Sequence, residues 1–163
     1  MRAFSPTYIF DSVSDIDADF FEKEGIRCVL SDIDNTLVAD NEPFPDERAV
    51  DFINRLRNEG LKICLISNNT SQRVESFNGK FQLKAVHRAG KPFRRKINKA
   101  IKELGASKAE TLLIGDQLLT DILAGNRCGI RTALVTPINL KKENTFFKMK
   151  RFIEARLLNR NFR

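Results

Sequence analysis

Hydrophobic and polar residues follow two kinds of pattern between positions 27 and 135. Short apolar runs of strand length occur at 27–32, 61–66, 83–87, 111–114 and 130–135. Between these runs, apolar residues recur every three or four positions, as on one face of a helix, at 46–58, 71–77, 93–104 and 119–127. Strands that alternate with helices form right-handed βαβ units. We therefore expect an α/β fold with a doubly wound, Rossmann-like parallel sheet of about five strands and helices on both faces.

The two ends of the chain depart from this pattern. Residues 1–25 mix aromatic and acidic side chains, and we expect an irregular or helical segment packed over the sheet. Residues 141–163 carry 8 basic and 2 acidic residues, with apolar positions near helical spacing at 143–160. That pattern is typical of a helix on an anionic membrane surface, and equally of a terminal helix packed onto the domain. At 163 residues the chain is predicted to be one domain, with its core at 26–136.

Polar residues suited to phosphate chemistry follow the apolar runs. In an open parallel sheet, ligands bind beyond the carboxyl ends of the strands, where the strand order reverses. At or soon after these strand ends the chain carries Asp32, Asp34, Thr36, Ser67, Asn68, Lys91, Gly115, Asp116 and Asp121. Any one of the polar residues alone fits a helix cap or a surface charge. Their joint placement at several strand ends favours a common site.

Asp32 is the candidate nucleophile, because an aspartate can attack phosphorus and form an aspartyl-phosphate. The attack brings two anions together. We expect a Mg²⁺ ion held by Asp32 and Asp116, together with the ammonium group of Lys91, to neutralise the charge. Asp34 suits the acid/base role, in which it protonates the leaving group and later activates water.

The other candidates surround the phosphate or support the turns. Ser67 and Asn68 are expected to contact the phosphate from the end of the second strand. Thr36 is expected to order the turn after the first strand. Asp121 has two candidate roles: it binds the metal through water, or it fixes Lys91.

The order of these residues resembles the four motifs of the haloacid dehalogenase-like phosphatase superfamily. The motifs are Asp-x-Asp-x-Thr, a hydroxyl residue, a lysine, and Gly-Asp with a further Asp; they match residues 32–36, Ser67, Lys91, and Gly115 with Asp116 and Asp121. The resemblance implies a Mg²⁺-dependent phosphatase in which the main-chain carbonyl of Asp34 also binds the metal.

The segments between the motifs are too short for a cap domain, as in the uncapped subclass IIIA of that superfamily. With its aromatic lead and the stretch at 25–38, the chain is similar to the bacterial YqeG family of this subclass. That family is similar to phosphatidylglycerophosphate phosphatases, so the resemblance implies this phospholipid as the leading substrate. The alternatives are a soluble phosphate ester, a nucleic-acid end or a phosphoprotein as substrate, and, in another class, a non-catalytic binding protein on the same fold.

The net charge of +7 is unevenly distributed. Residues 1–40 hold 3 basic and 9 acidic side chains, whereas residues 84–102 hold 8 basic and no acidic ones. Such polarity suits an anionic substrate or peripheral contact with an anionic membrane. The chain has one tyrosine and no tryptophan, and the phenylalanines near the basic patches fit apolar helix faces better than a base-stacking platform, so nucleic acid is not the expected partner.

The remaining composition indicates a reducing compartment. The three cysteines lack zinc-site spacing and cannot all pair. No apolar run approaches the ~18 residues of a membrane span, and the first ten residues do not resemble a signal peptide. We expect a cytoplasmic protein, either free or peripheral on the inner face of the membrane.

Overall fold

A computed structural model describes residues 3–139 and, apart from them, Ala155. The strands are β1 (Tyr8–Phe10), β2 (Cys28–Ser31), β3 (Lys62–Ile66), β4 (Lys84–Val86), β5 (Thr111–Gly115) and β6 (Arg131–Val135). The helices are α1 (Ala18–Lys23), α2 (Glu47–Asn58), α3 (Ser71–Asn78), α4 (Arg95–Glu103) and α5 (Leu123–Cys128). A 3₁₀ turn at Val13–Asp15 precedes α1, and a π-helical turn at Leu118–Ile122 leads into α5.

The strands form one parallel sheet in the order β1-β6-β5-β2-β3-β4. The predicted fold class is confirmed, but the described residues form six strands, where about five were predicted. The additional strand is β1, in the lead segment for which the sequence predicts irregular or helical structure. Its three residues are too few to show a period, and they become a strand only by pairing with β6, in the register Tyr8↔Ala133. The edges of two aromatic rings, Tyr8 and Phe10, meet Phe20 of the lead at 4.9 and 5.3 Å between ring centroids.

Helices cover both faces of the sheet, which explains why the strands are continuous apolar runs instead of alternating ones. On one face, Val29 of β2 packs in a core with Phe21, Phe52 and Phe77, from α1, α2 and α3. On the other face, Leu30 of β2 and Cys64 of β3 pack against the apolar sides of α4 and α5. This second core includes Ile97, Ile101 and Cys128 of those helices. The three cysteines are buried free thiols.

The strand order reverses at β2, which lies between β3 and β5. Such a reversal opens a crevice at the carboxyl edge of the sheet. Between β2 and β3 the chain forms only α2 and loops, and between β3 and β4 only α3 and loops, so neither segment contains a cap domain. No cap domain within residues 3–139 therefore covers the crevice.

The predicted C-terminal helix at 143–160 lies outside the continuously described residues. Within residues 3–139, no helix combines the length and apolar character needed to cross a membrane.

Candidate active site

The first motif forms a tight turn at the end of β2. The N–H of Asp32 donates to the carbonyl of Ile114 at 2.9 Å, so the sheet ladder carries this residue to the carboxyl edge. Asn35 then adopts a positive φ of 62°, and its N–H donates to the carbonyl of Val38 at 2.7 Å. Asparagine tolerates this left-handed conformation better than most residues. The turn buries Asp32 and leaves Asp34 partly exposed.

Lys91 is a buried cation that links two of the motifs. Its Nζ lies 2.7 Å from Oδ1 of Asp32 and 2.5 Å from Oδ1 of Asp121, with only 2% of its side chain exposed. Asn68 holds the main chain at this point: the N–H of Lys91 donates to its Oδ1 at 2.8 Å, and its Nδ2 donates to the Lys91 carbonyl at 3.1 Å. Asn68, which follows the β3 end, therefore fixes the loop that delivers the lysine.

Three buried carboxylates meet beside this lysine. One oxygen each of Asp32, Asp116 and Asp121 lies within 4.8 Å of the others. The hydroxyl of Thr36 donates to Oδ1 of Asp116 at 3.3 Å, and the N–H of Gln117 donates to Oδ2 of Asp121 at 3.1 Å. With all groups ionised, three negative charges face one positive charge. Hard oxygen donors with a surplus of two negative charges suit a divalent cation such as Mg²⁺.

The pKa shifts in the cluster also favour a bound cation. Burial raises the pKa of Asp32 well above its usual range; Asp121 and Asp116 raise it further, against the opposing effect of Lys91. Burial lowers the pKa of Lys91, but Asp121 and Asp32 outweigh it, so this pKa lies above its usual value. The lysine therefore stays charged, and the cost of burial is expressed in the raised pKa of Asp32.

Asp34 has partners of a different kind from those of the three buried carboxylates. Its Oδ1 accepts from Nε of Arg73 at 3.0 Å and lies 2.8 Å from Nη2, while its Oδ2 accepts from Nδ2 of Asn69 at 3.3 Å. Nη1 of Arg73 also donates to the carbonyl of Pro43 at 3.1 Å. Arg73 is not predicted from the sequence, because its spacing is that of any surface arginine. Its position in the first turn of α3, directly after the second motif, is the signal that could have identified it.

Five of the candidate residues line one cleft of about 440 Å³. It is lined by Asp32, Asp34, Asn35, Asp40, Ser67, Asn68, Asn69, Lys91, Gln117 and Thr120. Ser67 is buried at the β3 end, where its Oγ accepts from the N–H of Asn69 at 3.0 Å. Thr36, Asp116 and Asp121 lie behind the lining residues and bond to them or to one another. The fold thus brings all the sequence-predicted polar residues to one edge of the sheet.

Gly115 is needed for the close approach of Asp121. A Cβ added at Gly115 would lie 2.3 Å from Cγ and 2.5 Å from Oδ2 of Asp121, which is 1% exposed. We expect Gly115→Ala to lower the free energy of unfolding by about 1–3 kcal/mol and to reduce phosphate release, because Asp121 must leave Lys91. Denaturant titration measures the first effect. The control is Gly79→Ala, at a position with helical dihedral angles, which is expected to leave stability equal or slightly higher; equal stability of both variants would contradict the prediction.

The comparisons with known proteins agree with this geometry. The model of the haloacid dehalogenase-like hydrolases matches residues 11–129. The probable phosphatase YqeG of Bacillus subtilis is 30% identical over 96% of this chain and 91% of its own length. The chloroplastic/mitochondrial phosphatidylglycerophosphate phosphatase 1 of Arabidopsis thaliana is 27% identical over 89% of this chain, which spans 44% of that protein.

A solved structure shares the fold. It is the cobalt-bound deoxy-D-mannose-octulosonate 8-phosphate phosphatase YrbI of Haemophilus influenzae, with a TM-score of 0.57 and 14% identity over 78% of this chain and 75% of that one. A family match over most of the chain, joined to a cleft that gathers the motif residues, leads to one conclusion. The chain belongs to the haloacid dehalogenase-like hydrolase family, and it is a phosphatase.

Proposed function

We propose that this phosphatase is a Mg²⁺-dependent phosphomonoesterase that works through an aspartyl-phosphate on Asp32, with phosphatidylglycerophosphate as its leading substrate. The observation that carries the proposal is the position of Lys91, whose Nζ bridges Asp32 and Asp121 beside Asp116 at the carboxyl edge of the sheet. This arrangement supports attack by Asp32, because a fixed ammonium group counters the charge of an approaching phosphate.

The proposed reaction has two displacements. In the first, a carboxylate oxygen of Asp32 forms a bond to phosphorus while the bond to the ester oxygen breaks, and Asp34 gives its proton to that oxygen. In the second, Asp34 takes a proton from water, the water oxygen bonds to phosphorus, and inorganic phosphate leaves with Asp32 restored. Asp34 suits this role because it lines the cleft and is partly exposed.

Arg73 and Asn69 serve in this proposal as positioning residues for Asp34. Arg73 donates a hydrogen bond to one carboxylate oxygen of Asp34, and Asn69 donates one to the other. Arg73 also donates a hydrogen bond to the carbonyl of Pro43. Their hydrogen bonds set the direction of the carboxylate. For proton transfer to the leaving group, one oxygen of Asp34 must exchange a donor of Arg73 or Asn69 for the ester oxygen of the substrate.

The phosphate oxygens are assigned to Ser67, Asn68 and Lys91. The hydroxyl of Ser67 and the ammonium of Lys91 both line the cleft. Because both polar atoms of the Asn68 side chain bond to the main chain of Lys91, we assign the phosphate contact of Asn68 to its own N–H. Together they provide donors from two strand ends for the non-bridging oxygens.

Asp32, Asp116 and the main-chain carbonyl of Asp34 are the proposed Mg²⁺ ligands. The surplus negative charge and the all-oxygen donor set of the cluster support this assignment. Asp121 is bonded to Lys91 and to the N–H of Gln117, which favours the role of fixing the lysine over binding the metal through water. When bound, the ion would offset the charge that develops on the transferring phosphoryl group.

The preference for a phospholipid rests on two observations. No cap domain formed by the described residues covers the cleft, which leaves it accessible from them to a phosphate at the surface of a micelle or bilayer. One relative is a phosphatidylglycerophosphate phosphatase by name. A soluble phosphate ester is the alternative substrate, and the phosphate-release assay described next distinguishes it from the phospholipid.

Metal dependence and substrate class are tested by measuring phosphate release. We expect release from phosphatidylglycerophosphate in mixed micelles to exceed that from an aryl phosphate, and EDTA to abolish both until Mg²⁺ is restored. Mg²⁺ is also expected to raise the melting temperature of the wild type and not that of Asp116→Asn, because a ligand bound only by the folded state stabilises it. Release that EDTA leaves unchanged would overturn the metal assignment, and release from the aryl ester alone would overturn the lipid.

A further inference from the structure

Phe93 is an aromatic side chain exposed to solvent beside the active site. It is 72% exposed, and it lies in the loop between β4 and α4, two residues after Lys91. Its N–H donates to the carbonyl of Gly90 at 2.8 Å, so this loop is an ordered turn. Two residues of chain span at most about 7 Å. Phe93 therefore lies in the same short loop as Lys91, whose side chain lines the cleft.

The surroundings of Phe93 are strongly basic. In the described part of the chain, residues 84–102 contain no acidic side chain, and the residues exposed near Phe93 include Arg88, Arg94, Arg95, Lys96 and Lys99. Nη1 of Arg127 reaches the carbonyl of Pro92 at 3.5 Å and adds a further charge. Arg94 occupies the N-cap of α4 without a side-chain hydrogen bond to its first turn. The positive end of the helix thus adds to the field of the arginines.

A second exposed aromatic residue offers a contrast. Phe44 is 66% exposed and also lies at the carboxyl edge of the sheet, in the loop between β2 and α2. Exposed acidic residues of that loop and of the start of α2 surround it in the sequence: Asp40, Glu42, Asp46 and Glu47. The two phenylalanines are therefore similar in exposure, but acidic side chains predominate around Phe44 in the sequence and basic ones around Phe93.

We propose that the basic face around Phe93, defined as Arg88, Phe93, Arg94, Arg95, Lys99 and Arg127, docks the cleft onto an anionic lipid bilayer. The inference rests on the proposed function and adds the surface by which the lipid substrate is reached. Basic side chains near an anionic bilayer are attracted to its surface, and an exposed aromatic ring enters the interface between headgroups and acyl chains. Docking at Phe93 would hold Lys91 and the open cleft at the level of the headgroups.

Lipid is favoured over nucleic acid by the single aromatic side chain. A surface that binds single strands stacks successive bases on several aromatic rings, whereas the basic face presents only Phe93 among the described residues. One ring among arginines matches an interfacial anchor better than a stacking platform.

The absence of tryptophan from the chain makes the contact directly measurable. Phe93→Trp introduces the sole tryptophan, and Phe44→Trp gives a matched reporter in the acidic loop. Vesicles of equimolar phosphatidylglycerol and phosphatidylcholine are expected to shift the emission of the full-length F93W variant to the blue and to allow quenching by brominated lipid. The F44W variant should show neither effect. Equal responses from both reporters, or none from F93W, would overturn the proposal.

Charge reversal separates this surface from the catalytic proposal. The R94E/R95E variant should lose about tenfold or more in vesicle affinity, since each basic side chain contributes to binding. It should also fold normally, because acidic residues suit the start of a helix. Release from an aryl phosphate should be unchanged while release from vesicle-borne phosphatidylglycerophosphate falls. Unchanged vesicle affinity of R94E/R95E would overturn the docking face. A variant that loses affinity for single-stranded DNA but not for vesicles would overturn it as well. Failure of the wild type to release phosphate would overturn only the proposed function.

Discussion

Asp32→Asn is expected to abolish phosphate release while leaving the fold intact. The amide cannot form the aspartyl-phosphate, and removal of a catalytic nucleophile typically costs on the order of 10⁴- to 10⁶-fold in kcat. The substitution preserves the shape of the side chain, and the amide oxygen can still accept the hydrogen bond that Nζ of Lys91 now donates to Oδ1. The rate of release from an aryl phosphate with Mg²⁺ measures the loss.

A control is needed to separate the chemistry from a general effect of the substitution. Asp51→Asn makes the same change at an exposed position of α2, and it should leave the rate unchanged. Circular dichroism and a thermal melt should report folded protein for both variants. Activity of D32N within a few fold of the wild type would remove Asp32 from the role of nucleophile.

Lys91→Met is expected to be the most destabilising single change in the site. The methionine has a similar volume but leaves Asp32 and Asp121 buried without their cation. Removal of one partner from a buried ion pair typically costs about 3–5 kcal/mol of unfolding free energy. Phosphate release should fall by about 10²-fold or more, because a positioned charge that stabilises the transition state is lost. Urea titration and steady-state rates measure the two effects separately.

Substitution of Asp121 together with Lys91 tests whether the two side chains stabilise each other. If Lys91 and Asp121 interact as the 2.5 Å contact implies, the double variant K91M/D121N should be more stable than the sum of the single effects predicts. Lys84→Met is the matched surface control: Lys84 forms a partly exposed ion pair with Glu103, and its loss should barely change the urea midpoint. Additive effects of K91M and D121N would contradict the proposed coupling.

Much of the fold was predictable because it depends on local patterns. Runs such as 28–30 and 112–114 are continuously apolar, and the strands that contain them, β2 and β5, are buried along their whole length. The helices α2 and α4 show their apolar spacing directly, with Phe52, Ile53 and Leu56 buried in the first. The lead strand β1 was not predictable in this way: its three residues are a strand only because the edge of β6 is available to them.

The candidate site likewise has features that the sequence predicts and features that only the structure shows. Asp32, Ser67, Lys91 and Asp116 follow strands in chain order, and parallel strands end at a common edge, so their convergence was predictable. The pairing of Asp34 with Arg73 was not predictable. The two residues are 39 positions apart, and they meet only because the packing of α3 directs the Arg73 side chain toward Asp34. The same holds for Asn68: the sequence predicts that it contacts the phosphate, whereas both polar atoms of its side chain bond to the main chain of Lys91.

The amino-acid sequence by itself determined the fold class, the family and the set of chemical groups at the strand ends. Each of these depends on periodicity or on order along the chain, which the sequence contains in full. Only the tertiary structure decided which groups touch, which are buried and which face solvent. Phe93 illustrates the difference: its residue type suggests a core position, and only the packing of α4 against the sheet leaves it exposed beside Lys91. Burial and contact are properties of the assembled chain, since they depend on distances between residues that are remote in sequence.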